Sequence, residues 1–236
     1  MFTWTEASAA FWEDSAKYTK SYDRLADRAA AHLVPGGTVF EGGCGLGHLS
    51  LALARRGYAV TAMDASPLPL RYLRENARQQ SLSLDIRQGD AFALPEEKVY
   101  DNAVFCFFGS VSETLAWAKV HCRGSLVLFK KSWSTHRFSR DEAAIRKFTY
   151  PLTLKELNRL GVPYESSVFD VDMGQPFRNL EAAVRFFALY DPEGAMTTAE
   201  VRARLTDTID PCFPFYLPAM RPVGMIVLRA QDIRQI

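Results

Sequence analysis

The sequence is short of the features that announce a secreted, membrane-bound or nucleic-acid-binding protein. Its four cysteines, Cys44, Cys106, Cys122 and Cys212, stand far apart, with no C-x-x-C pair and no histidine at zinc spacing. That excludes a disulfide framework or a structural zinc as the organising device, and the four read as reduced thiols, mostly core packing, in a cytoplasmic protein. No uninterrupted apolar run approaches the roughly 20 residues of a membrane span, so no membrane partner is expected. The first ten residues mix Trp4 and Glu6 with small side chains and lack the basic and apolar regions of a secretory signal. An excess of one charge is missing too: 28 basic residues face 27 acidic ones, without a basic tail or stripe. Nucleic acid is therefore not an expected partner.

What remains is an ordinary globular composition, 48% hydrophobic and 23% charged over 236 residues, enough for one large domain or one domain with an insertion. Residues 11–33 carry apolar positions at helical spacing until Pro35-Gly36-Gly37 turns the chain. Strand-like and helical stretches then alternate: strands at 38–40, 58–63, 84–87, 102–108 and 125–129, helices after Gly47 and at 68–80 and 111–120. The run at 102–108 is apolar without alternation, as a parallel strand buried on both faces should be. Such alternation predicts an α/β fold, doubly wound, with a mostly parallel sheet and helices on both faces. Beyond Lys131 the pattern loosens, with helices expected at 140–147, 153–160, 180–190 and 197–205 and strands at 166–171 and 225–229. The late strand pair would add an antiparallel edge near the C-terminus.

Glu41-Gly42-Gly43-Cys44-Gly45-Leu46-Gly47 lies between an expected strand and an expected helix. Alternating glycines allow a tight turn and a close approach of ligand to backbone, and the position, at the carboxyl end of the first strand, is where open α/β sheets bind ligands. The dinucleotide fingerprint fails here, because its last position falls on His48 or Ser50, and a P-loop would need lysine where His48 stands. Glu41 would repel a pyrophosphate but suit a ligand bearing an ammonium and a sulfonium; S-adenosylmethionine carries both and no phosphate. Asp64, ending the second strand, stands where an acid would hold two ribose hydroxyls, or else caps the helix that follows. Asp90, in Gly89-Asp90-Ala91, can accept from an adenine amine, or serve the turn alone.

Together these residues resemble the class I S-adenosylmethionine-dependent methyltransferases of small-molecule type, from about Phe11 to Phe129. Their first motif, an acid followed by alternating glycines, falls on Glu41, Gly43, Gly45 and Gly47, the ribose acid on Asp64 and the adenine-side Asp on Asp90. The resemblance implies a seven-stranded sheet, S-adenosylmethionine as cofactor, and a cofactor-binding set completed by Gly42, Ala65, Ala91 and Phe107. It further implies an aromatic over the methionine part of the cofactor, which falls on Tyr18 in a helix that can equally use that ring for packing. One methyltransferase domain is expected over 1–236, with a helical cap at 1–34, a cofactor-binding core at 35–131 and substrate-side helices and strands at 132–236. Two positions depart from the commoner pattern, Glu41 for an aspartate and Leu46 for a small polar residue. Phe107-Phe108-Gly109-Ser110 is not the Asn-Pro-Pro-Tyr motif of nucleic-acid amino methylases, so the expected partner is a small-molecule methyl acceptor. Nothing sets an oligomeric state.

Methyl transfer from a sulfonium is an in-line displacement in which alignment matters most and a general base is optional. His136 is the candidate base, with His48 and Tyr18 behind it. Phe107, Phe108, Trp133, Phe138 and Tyr150 are candidates to line a dry acceptor pocket, and no metal is called for. The rival functions are an NAD-dependent oxidoreductase, which fails the spacing and charge tests, and a non-catalytic cofactor-binding or protein-interaction module of the same fold.

Overall fold

Local capping decides where the first elements begin and end. In the computed structural model, which describes residues 3–95, 98–133, 149–190 and 196–233, α1 (Glu6–Thr19) opens on a reciprocal cap between Thr5 and Ser8. The single helix expected over 11–33 is two helices. Lys20 takes a left-handed conformation (φ 54°), Thr19 Oγ1 accepts from the Ser21 amide at 3.3 Å, and α2 (Ser21–Ala30) starts afresh. Helix propensity runs through the break, so only this backbone turn separates them.

Strand and helix then alternate as the pattern predicts: β1 (Thr38–Gly42), α3 (His48–Arg55), β2 (Ala59–Asp64), α4 (Pro67–Gln79), β3 (Asp85–Gln88), β4 (Tyr100–Cys106), α5 (Val111–His121) and β5 (Cys122–Lys131). After them come α6 (Tyr150–Leu160), β6 (Glu165–Asp172), β7 (Gln175–Phe177), α7 (Leu180–Tyr190), α8 (Thr198–Ala203), β8 (Thr206–Asp207), β9 (Phe215–Leu217), β10 (Met220–Arg229) and α9 (Ala230–Ile233).

Seven strands form one sheet in the order β3-β2-β1-β4-β5-β10-β6. The β1–β2, β1–β4, β2–β3 and β4–β5 pairs are parallel, and β10 runs antiparallel to β5. The antiparallel strand thus lies inside the sheet and β6 takes the edge. Chain order reverses between β1 and β4, which is where ligands bind in open α/β sheets. One core packs Phe40 against Trp117 (ring centroids 4.5 Å) with Phe105, Leu126 and Ile226, and a second holds Leu51, Ala62, Leu70 and Leu73.

The chain divides into two units. The larger takes in described residues 22–95, 98–132, 149–169 and 222–233; the smaller takes in 3–21, 133, 170–190 and 196–221. Within the smaller unit β7, β9 and β8 form a three-stranded antiparallel sheet, which no sequence pattern announced, and Phe177, Phe186, Phe187 and Val201 form its core. Among the described residues no helix is long and apolar enough to cross a membrane.

Asn102 shows how the sheet is pinned at the end away from the glycines. It is wholly buried in β4, accepts from the Val34 amide at 2.8 Å and donates towards the Val34 and Thr38 carbonyls at 3.3 and 3.4 Å. Asn102→Ala strands those groups in a dry place and should cost about 1–3 kcal/mol. Urea denaturation checks this, and an unchanged midpoint would mean that the bonds contribute nothing net.

Candidate functional site

Parallel register sets the carboxyl ends of β1, β2 and β4 side by side: Gly42 lies opposite both Met63 and Phe105, and Asp64 opposite Gln88. The chain leaves β1 through a turn whose Gly43 and Cys44 amides both donate to the Met63 carbonyl, at 2.8 and 3.1 Å. The Gly45 amide donates to Asp64 Oδ2 at 2.9 Å, and the Ser66 amide to Asp64 Oδ1 at 2.9 Å. The Gly89 amide reaches the Asp64 carbonyl at 3.0 Å, which brings Asp90 beside the same turn. Asp90 is exposed and uses Oδ1 to hold the Phe92 amide at 2.9 Å, while Ala91 is buried. The fold therefore gathers Glu41, the four glycines, Asp64, Ala65, Asp90, Ala91 and Phe107 at or just beyond the carboxyl ends of the parallel strands β1 to β4.

Three of the glycines are needed by the protein's own packing: a β-carbon on Gly42 would sit 2.4 Å from Cε1 of Phe105. A β-carbon on Gly43 (φ 68°) would sit 2.2 Å from Cγ of Phe108, and one on Gly47 (φ 70°) 2.3 Å from Cδ1 of Leu73. Phe108 in turn stacks on Phe92 (5.4 Å, 6° between planes).

Glu41 departs from its expected part. Its side chain is 2% exposed and accepts a short hydrogen bond from the Ser50 hydroxyl. Burial pushes its pKa up to about 8, with the Asp64 charge adding in the same direction against the Ser50 bonds. Near neutral pH the carboxyl is thus held protonated, and the negative charge at the turn comes from Asp64 and Asp90. Around it stand Tyr22 and Cys106, whose own ionisation burial also opposes.

The other candidates sit in varied surroundings. Tyr18 belongs to the smaller unit, where its ring packs on Phe213 (5.8 Å) and Tyr216 (5.1 Å). His48 opens α3 with its ring 5.4 Å from that of Tyr22. Trp133 is in the smaller unit, its ring 5.8 Å from the Arg221 guanidinium carbon, and Tyr150 packs on Gly224 of β10. His136 and Phe138 lie outside the described residues. Of the four cysteines, Cys44 and Cys122 are buried, and Cys212 is exposed rather than a core residue.

Sequence reasoning passed over Lys130. The residue ends an apolar run and reads as a strand terminus reaching water, but it is 1% exposed and its Nζ donates to the Phe108 and Gly109 carbonyls at 2.9 and 2.6 Å. Ser50, three residues after Gly47, was legible only as a helix residue.

Residues 39–122 match a family described as a methyltransferase domain. A ubiquinone biosynthesis O-methyltransferase of Methylocella silvestris is 34% identical over 101 residues, a stretch covering 43% of this chain and 40% of that one. Among solved structures, precorrin-6y C5,15-methyltransferase of Geobacter metallireducens aligns over 88% of this chain and 87% of its own (TM-score 0.52, 12% identity). Precorrin 8W decarboxylase of Methanobacterium thermoautotrophicum aligns over 87% and 89% (TM-score 0.51, 17% identity). The matched segment runs from β1 to the start of β5 and contains the glycine turn and Asp64, so over that stretch the chain is similar to a methyltransferase domain, and it spans less than half the length of the curated relative it matches. The fold alone also serves a protein named as a decarboxylase, so activity has to be argued from the site.

Proposed function

We propose that this chain is a methyltransferase that moves a methyl group in line from S-adenosylmethionine to a hydroxyl of a small-molecule acceptor. One observation carries the cofactor half. Asp64 is fixed by two amides, one from the glycine turn and one from Ser66 at the start of α4, which leaves a free lone pair on each carboxylate oxygen. Two parallel acceptors on a rigid carboxylate fit a ribose diol. Exposed Asp90 fits the adenine amine, and the turn beyond Gly43 gives a backbone surface for the amino acid part. Bound there, the cofactor supplies a methyl group on a positively charged sulfur. The chain's task is to orient both reactants and exclude water, and Asp64 and Asp90 supply the negative field for a cationic ligand. The hydroxyl acceptor is supported by the similarity to a ubiquinone O-methyltransferase, and the near balance of charge favours a small molecule over a nucleic acid.

Calorimetry with S-adenosylmethionine, S-adenosylhomocysteine and NAD tests the reading: the first two should bind and NAD should not. Asp64→Ala should weaken S-adenosylhomocysteine by roughly 1.5–3 kcal/mol, the worth of a charge-assisted hydrogen bond. Undiminished affinity in the folded variant would refute the ribose assignment, and binding of NAD alone would revive the oxidoreductase reading.

A further inference from the structure

A lysine sealed inside a strand end is costly. Moving its ammonium out of water is opposed by several kcal/mol, and an apolar chain such as methionine would fill the same space without that penalty. Burial accordingly draws the Lys130 pKa down to about 8, while Cys106 and Glu113 act the other way. Stability alone therefore does not account for a lysine here, and what it touches points elsewhere. Its ammonium gathers the carbonyls of two successive residues, Phe108 and Gly109. Those carbonyls converge because the turn after β4 is held in an unusual shape: Phe107 has φ 55° and Gly109 φ 70°. A left-handed conformation is rare for a bulky residue and persists only where the surroundings enforce it. From this turn the Phe108 ring lies against Gly43 and stacks on Phe92, two residues past Asp90.

We infer that Lys130 is a positioning residue: by clamping the Phe108 and Gly109 carbonyls it holds the turn after β4 so that the Phe108 ring braces the glycine turn and the Asp90 loop in the shape that receives the cofactor. The inference rests on the cofactor reading above and adds to it a residue that makes no cofactor contact. Preorganisation is its physical content, since a loop fixed in advance spares the ligand the cost of ordering it.

The test is calorimetric titration of the full chain with S-adenosylhomocysteine. Lys130→Met keeps an unbranched chain, one atom shorter, and removes the donors; its dissociation constant should rise at least tenfold. Lys130→Gln keeps two N–H donors on a shorter stem and should fall between Met and wild type; it carries the comparison if the Met variant does not fold. Asn102→Ala, at the other end of the sheet, should lower the denaturation midpoint and leave affinity alone, which separates positioning from general loosening. Phe108→Ala should weaken binding as well, and the double variant Phe108→Ala/Lys130→Met should bind little worse than Phe108→Ala, because both changes act through one ring. Wild-type affinity in a folded Lys130 variant, or penalties that simply multiply in the double variant, would overturn the inference. A wild-type protein that binds no S-adenosylhomocysteine would instead remove the cofactor reading, and this inference with it.

Discussion

Replacing Gly47 by alanine should cost roughly 2–6 kcal/mol, the sum of strain in a left-handed alanine and overpacking against a core leucine. Gly47 precedes α3 with φ 70°, and the added methyl would sit 2.3, 2.5 and 2.8 Å from Cδ1, Cδ2 and Cγ of Leu73. Leu73 cannot swing aside, because it is fully buried in α4 among Cys44, Leu51, Ala62, Leu70 and Ala77. The contact is what lets α3 and α4 close over the second strand, so the loss should appear as global destabilisation with weakened cofactor binding behind it. For a domain stable by about 5–15 kcal/mol, a loss of this size leaves a fraction of molecules unfolded at ordinary temperatures. Denaturant titration of the variant checks the magnitude. Adding Leu73→Ala separates the two contributions: the double variant should lose less than the sum of the single losses, since the methyl then enters the space the leucine vacates. Strictly additive losses would show that backbone strain alone makes Gly47 necessary.

That glycine was legible in the sequence for a reason only half right. Alternating glycines after a strand announce a tight turn, and the turn is there, but Gly43 and Gly47 are demanded first by Phe108 and Leu73, partners 65 and 26 residues away in sequence. The parallel order of the first five strands could be read because each βα unit buries its own apolar face and ends in local signals, a glycine stop after Arg56 or Pro67 in the first turn of α4. Asp64 and Asp90 were legible as strand-end acids. What could not be read depends on partners far along the chain or on strands too short to carry a pattern. The three strands of the smaller sheet have three, two and three residues and are drawn from 175 to 217. The helix break at Lys20 is a single backbone conformation in a helix-forming stretch. Lys130 looks like a solvated strand end until the carbonyls of residues 108 and 109 fold over it. Glu41 is the sharpest case: an acid beside a glycine turn promises a charge, and only burial by Ser50, Tyr22 and Cys106 reveals that it is held protonated.

The protonated state of Glu41 makes stability depend on pH in a direction opposite to that of a typical paired carboxylate. In the unfolded chain the carboxyl titrates at its ordinary 4.5, and in the folded chain at about 8. Between those values the native state holds a proton that the unfolded state has released, so raising the pH pulls the equilibrium towards unfolding. Stability from this group is complete below pH 4.5 and declines until the folded pKa is passed. Each whole step of pH across that window costs about 1.36 kcal/mol, so by pH 7 the loss amounts to roughly 3 kcal/mol. Glutamine imitates the protonated acid, since its carbonyl can still accept from the Ser50 hydroxyl. Glu41→Gln should therefore match wild type near pH 4.5 and exceed it progressively towards pH 8, with the difference at pH 7 on the order of 3 kcal/mol. Taking the difference between the two proteins at each pH cancels the other groups that titrate on unfolding, Asp85 and Asp101 at the acid end and Lys130 at the basic end, whose pKa values are shifted by their own surroundings. Urea titrations at half-unit steps of pH supply the data. A difference that stays flat across the range would mean that Glu41 ionises in the folded protein as it does in water, and the negative charge at the glycine turn would then include its carboxylate after all.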